Sequence, residues 1–98
     1  MPDFSQDIEF EWDRGNLDKN RFKHNVTNQE CELSFTNQNA LVSQDVKHSY
    51  EAEQRFQLLA KSTIKRYLSI IFTYRGSEIR VISARDMNKK ERNRYEKI

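Results

Sequence analysis

Apolar and polar residues alternate strictly over residues 7–13, "DIEFEWD", where Ile8, Phe10 and Trp12 interleave with Glu9, Glu11 and Asp13. A period of two predicts a half-buried strand with a polar outer face. The segment 16–25, "NLDKNRFKHN", reads instead as a short helix, with Asn25 as a left-handed terminator. "TNQE" then announces a second helix. Thr27 is placed to accept from the backbone N–H three residues on, and Glu30 to reach back, a capping box. Val26 and Cys31 stand where a hydrophobic staple would sit, and Phe35 extends that face. "ALV", residues 40–42, predicts a brief strand, and the polar stretch 43–54 a loop.

Three strands follow in succession: 55–61, 67–75 and 78–84, the last two joined by a tight turn at Gly76-Ser77. Residues 88–98 close the chain as a helix, opened by an Asn88/Glu91 capping box, with Met87, Glu91, Tyr95 and Ile98 along a narrow seam. The order βαα(β)βββα implies an α+β domain, a mostly antiparallel sheet packed against helices on one face. A chain of 98 residues is expected to make a single domain, 1–98, with 1–6 expected as a flexible N-terminus.

A two-residue turn sets Arg75 opposite Glu78, Tyr74 opposite Ile79, Thr73 opposite Arg80 and Phe72 opposite Val81. Opposed residues share a face. Keeping Phe56 and Leu58 on the core side requires Phe56 opposite Phe72 and Leu58 opposite Ile70, since a slip of one residue would expose them. Arg55, Thr73 and Arg80 then form one row away from the core, with Arg75 beside them. The same alternation puts Arg85 on the core side at the strand's exit, tying down the last helix.

Composition adds polarity and one asymmetry. The hydrophobic fraction is 36% and the charged fraction 33%, while six Phe, four Tyr and one Trp argue for a folded core. Cys31 is the single cysteine, so no intrachain disulfide forms and a reducing compartment is expected. No apolar run is long enough to span a membrane, and no signal peptide opens the chain, so a soluble cytoplasmic protein is expected. Residues 1–54 carry five Lys/Arg against eleven Asp/Glu, a net of −6. Residues 55–98 carry twelve against four, a net of +8. The second half either meets a polyanion or pairs with the first.

Like charges gathered on one sheet patch destabilise it. The arginine row therefore suits phosphate binding, because a planar guanidinium fork matches phosphate oxygens; the alternative is neutralisation by Glu51, Glu53 and Glu78. His24 is the proton-transfer candidate, with Asn20 one turn before it, although a His at a helix C-terminus also serves the dipole. Lys23 reads as a phosphate contact or a solvated charge. Tyr95 could stack on a base or pack in its seam, and His48 reads as a loop residue. His24, His48 and Cys31 have no metal-ligand spacing, and no cofactor is expected.

"FEWD" (Phe10 to Asp13), Asn20, Lys23-His24 and Val26 begin a longer pattern. It continues through Asp45, His48-Ser49, Glu53, Arg55-Phe56, residues 72–85, Glu91-Arg92 and Arg94-Tyr95-Glu96. Over about residues 8–96 this resembles the BrnT-type toxins of bacterial type II toxin–antitoxin modules. Asn25 stands where that family usually carries Gly, and the stretch between His48 and Arg55 is about one residue longer. The resemblance implies a RelE-like ribonuclease fold and growth inhibition by RNA cleavage. It also implies a cognate BrnA-like antitoxin that silences the toxin and carries the element binding operon DNA, with no membrane partner. Metal-independent cleavage would then draw on His24, Arg55 and Arg80 as catalytic groups, and on Lys23, Thr73, Arg75 and Tyr95 for RNA binding.

Overall fold

The computed structural model of the chain describes residues 8–19, 24–62 and 65–97. Its elements are β1 (Glu9–Phe10), α1 (Asn28–Ser34), β2 (Leu41–Gln44), β3 (Arg55–Lys61), β4 (Tyr67–Arg75), β5 (Glu78–Asp86) and α2 (Lys89–Glu96), with a 3-10 turn at Val46–His48 after β2. The five strands form one sheet in the order β1-β5-β4-β3-β2, antiparallel except for β1 on β5. The fold is α+β. The expected flexible residues 1–6 lie outside the described residues. So do Asn20 and Lys23, in the middle of the helix expected over 16–25, which opens with turns at 14–18.

The register follows from which residues must be buried. Phe56 pairs with Phe72, Leu58 with Ile70 and Arg55 with Thr73. Leu58, Ile70, Phe72 and Val81 are fully buried on one face, where Val26, Cys31 and Phe35 from the α1 segment meet them. The Phe35 and Phe72 rings meet edge to face at 4.9 Å, and Phe10 adds a second edge contact on Phe35 at 5.3 Å. Removing Phe72 would forfeit about 3–5 kcal/mol, the usual cost of truncating a buried Phe.

Local signals set the helix ends. Asn25 adopts φ 56°, the left-handed geometry that Asn tolerates where most residues do not. Thr27 Oγ1 accepts from the Glu30 amide at 3.1 Å. The return half of that box is replaced: Glu30 is buried, and its carboxylate lies 3.6 Å from the Arg66 guanidinium. Asn88 and Glu91 do form the reciprocal box that opens α2.

Two expectations need correction. Phe72 pairs with Val81 but Ile71 pairs with Ser83, so Ile82 is an extra residue, a β-bulge. The bulge reverses the alternation beyond it. Ala84 enters the core in place of Arg85, and Arg85 turns to the opposite face. Simple parity had put Arg85 on the core side, where an arginine would be costly to desolvate. The loop after β1 supports the bulge, because Asn16 Nδ2 donates to the Val81 carbonyl at 3.1 Å and Lys19 Nζ to the Ile82 carbonyl at 2.7 Å.

The second correction follows from the first. The helices do not share one face, since α2 lies across the side away from α1. Glu91 of α2 accepts from Arg85 at 2.7 Å and from Gln57 at 2.7 Å, and Tyr95 meets Tyr67 edge to face at 6.1 Å. Leu59, on this second face, is also fully buried.

Candidate nucleic-acid interface

Between α2 and the turn after β2, the second face of the sheet holds a cleft of about 580 Å³. Gln57, Ile71 and Ile82 are among its lining residues from the sheet. Asp45, Lys47 and His48 line it from the turn, Arg85 from β5, and Glu91 and Arg94 from α2, with Arg55 beside them. Four cations thus converge on a concavity whose sheet surface includes two isoleucines.

The three arginines are each held by a partner. Arg55 donates through Nε and Nη2 to Glu53 at 3.1 and 3.0 Å, and this bond holds the Glu53 carboxyl below its ordinary value. Arg85 forks onto both oxygens of Glu91 at 2.7 and 3.0 Å. Arg94 donates to Gln57 Oε1 at 2.6 Å, and Gln57 Nε2 donates onward to Ser69 and Glu91. Sheet and helix therefore fix one another through Gln57 and Glu91.

The turn is equally constrained. The Asp45 amide donates to the Arg55 carbonyl at 2.8 Å, and Ser49 Oγ accepts from the Arg55 amide at 2.8 Å. Asp45 directs both carboxylate oxygens at His48 Nδ1, at 3.0 and 3.1 Å.

The model of the BrnT family, described as the ribonuclease toxin of type II toxin–antitoxin systems, matches residues 12–91. The chain belongs to the BrnT toxin family. No curated protein matches it. Among the described residues no helix is long and apolar enough to cross a membrane.

For this BrnT-family chain the residues expected from sequence fall in different places. Arg55, Thr73 and Arg80 do stand in one row across β3, β4 and β5. Only Arg55 of the three opens to the cleft. Thr73 is buried and donates its hydroxyl to the Gln54 carbonyl at 2.7 Å. Arg80 is 13% exposed and donates to Glu11 at 2.8 Å and to both Asp13 oxygens at 2.8 and 3.0 Å. That fork lowers the Asp13 carboxyl and raises the Arg80 guanidinium. Arg75, 53% exposed, shares the Glu11 carboxylate at 3.1 Å. The acidic first half thus partners part of the basic second half.

His24 lies elsewhere. Its carbonyl, with that of Asn25, accepts from Arg66, which also forks onto Asp86. Asp86 pairs with Leu68 at the far end of β4 from Thr73, a separation of roughly 15–17 Å at 3.3 Å per strand residue. Asp86 is also on the core-side face, so the Arg66–Asp86 fork that holds the His24 backbone lies on the side of the sheet away from the cleft. Tyr95 accepts from the Lys61 amide at 3.3 Å and packs on Tyr67, while Arg92 covers the Tyr67 ring at 4.0 Å. Cys31 is a packing residue whose thiol burial pushes up to about 12.

Asp45, His48 and Arg94, which the family pattern contains but which were given no site role from sequence, also line the cleft. The Asp-x-x-His spacing was the available signal, because one 3-10 turn brings residues three apart onto the same side.

Proposed function

We propose that this BrnT-family chain is a metal-independent endoribonuclease working in the cytoplasm as one domain, and that its substrate RNA lies in the basic cleft of the sheet's second face. The convergence of Lys47, Arg55, Arg85 and Arg94 around one concavity carries this reading. Cleavage by the neighbouring 2′-hydroxyl needs the attacking oxygen in line with phosphorus and cations at the crowded phosphorane. Guanidinium groups prefixed by carboxylate and amide partners supply that charge without reorganising during the reaction. Arg55 is the phosphate clamp in this account. Arg75 and Arg80 extend the positive edge, and Arg80 chiefly holds the β1 segment.

A cognate BrnA-like antitoxin would neutralise the toxin by laying an acidic or amphipathic segment across the basic half, in competition with RNA. Operon DNA would be met only through that antitoxin. Support comes from the family and from the charge of residues 55–98, a net of +8.

Protein freed of its partner should cut RNA in excess EDTA. Arg55→Ala should lower the single-turnover rate by about 30- to 1,000-fold, the range for a lost transition-state donor. An Arg55→Ala protein that folds and cuts at the parent rate would overturn the assignment.

A further inference from the structure

We propose that Asp45 and His48 are the proton-transfer pair of this cleft, with His48 the catalytic base and Asp45 its positioning residue; the proposal rests on the ribonuclease reading above.

Geometry carries it. A carboxylate accepts hydrogen bonds, so the two contacts at 3.0 and 3.1 Å match the tautomer with its proton on His48 Nδ1. In that tautomer the ring's lone pair is on Nε2. His48 is 58% exposed at the cleft while Asp45 is 17% exposed, so the orienting group is sheltered and the working group is accessible.

Asp45 also departs from its usual role. It stands at the N-cap of the Val46–His48 turn, where an aspartate ordinarily accepts from the backbone amides that follow. No such bond forms, and both oxygens serve the imidazole instead. The turn is fixed to the phosphate-binding side by the Asp45 amide on the Arg55 carbonyl, at 2.8 Å, and by Ser49. Base and clamp therefore share one short piece of backbone. An ordinary surface ion pair would need neither the abandoned cap nor this anchoring.

The step balances within RNA. His48 Nε2 takes the 2′-hydroxyl proton, O2′ bonds to phosphorus, and the P–O5′ bond breaks. The leaving oxygen takes a proton from water and His48 returns its own to solvent. The products are a 2′,3′-cyclic phosphate and a 5′-hydroxyl end.

The test uses full-length protein freed of its partner, a short single-stranded RNA and excess EDTA, with cleavage rate, RNA affinity and melting temperature measured separately. His48→Ala should cut at least about 100-fold more slowly, the scale of a lost general base, with affinity and melting temperature unchanged. Added imidazole should restore part of that rate, and should restore nothing to Arg55→Ala. Asp45→Asn, which keeps the shape but loses the acceptor pair, should slow cleavage by a smaller factor. A His48→Ala protein cutting at the parent rate overturns the pair, while Arg55→Ala still decides whether the cleft stands. Lost cleavage accompanied by weakened RNA binding and no imidazole rescue makes His48 a binding residue and also overturns it. A parent protein that cuts nothing under these conditions overturns the ribonuclease reading and the pair together.

Discussion

Ser49 accepts from the Arg55 amide at 2.8 Å and donates to the Asp45 carbonyl at 2.6 Å, so one hydroxyl joins the turn to the start of β3. Replacing it with alanine strips a part-buried N–H of its acceptor, which costs about 1–3 kcal/mol. Ser49→Ala should unfold at lower urea and cut RNA more slowly, and Ser49→Thr, which keeps the hydroxyl, should recover both. A Ser49→Ala protein with parent stability and rate would show that the turn holds without this bond.

Arg80 is expected to serve stability before catalysis. Its guanidinium joins Glu11 and Asp13, and Gly15 leaves it room, since a Cβ there would come within 2.8 Å of Nη2. Arg80→Ala should lower the melting temperature by several degrees, and Gly15→Ala by less, because a guanidinium can shift. Calorimetry beside a cleavage assay separates the roles. An Arg80→Ala protein that melts normally but no longer cuts would return Arg80 to the phosphate row.

Glu91 joins α2 to the cleft. It accepts from Arg85 and Gln57 and completes the Asn88 cap, and although burial opposes its charge, the Arg85 bond and its other partners leave its carboxyl below the ordinary value. Glu91→Gln should loosen α2 and slow cleavage, which amide hydrogen exchange along α2 would register. Exchange in α2 equal to that of the parent would contradict this.

Much of this architecture was legible in the sequence. Phe56, Leu58, Ile70 and Phe72 fix the register because any slip exposes them, so the Arg55/Thr73/Arg80 row followed from pattern alone. The bulge was not legible. Val81 and Ile82 carry no Gly or Pro to mark it, and its hydrogen-bond support comes from Asn16 and Lys19, more than sixty residues away in sequence. From that one residue follow the face of Arg85, the side on which α2 packs and therefore the walls of the cleft. The turn that carries His48 was not legible for a different reason, because polar loop composition does not reveal that residues 46–48 form an ordered turn.

Acid should unfold the chain through its paired carboxylates. Hydrogen bonds from Arg80, Arg55 and Arg66 respectively hold the Asp13, Glu53 and Asp86 carboxyls below their ordinary values of 3.8, 4.5 and 3.8. The unfolded chain therefore takes up these protons first. The stabilisation is fully present above about pH 4–5 and is lost as pH falls through the lower folded values. Urea unfolding should show no loss from these three groups near neutrality and a decline below about pH 4, shallower in Asp86→Asn. Stability unchanged down to about pH 2 would contradict the pairing.

The most direct test of the central claim is the chemistry of the RNA ends. A defined RNA is incubated with partner-free protein in excess EDTA, and the new termini are identified by mass. The account predicts internal cuts leaving a 2′,3′-cyclic phosphate, or its hydrolysed 3′-phosphate, opposite a 5′-hydroxyl. Cleavage that stops with chelator and returns with Mg²⁺, or cuts that leave a 5′-phosphate, would contradict it.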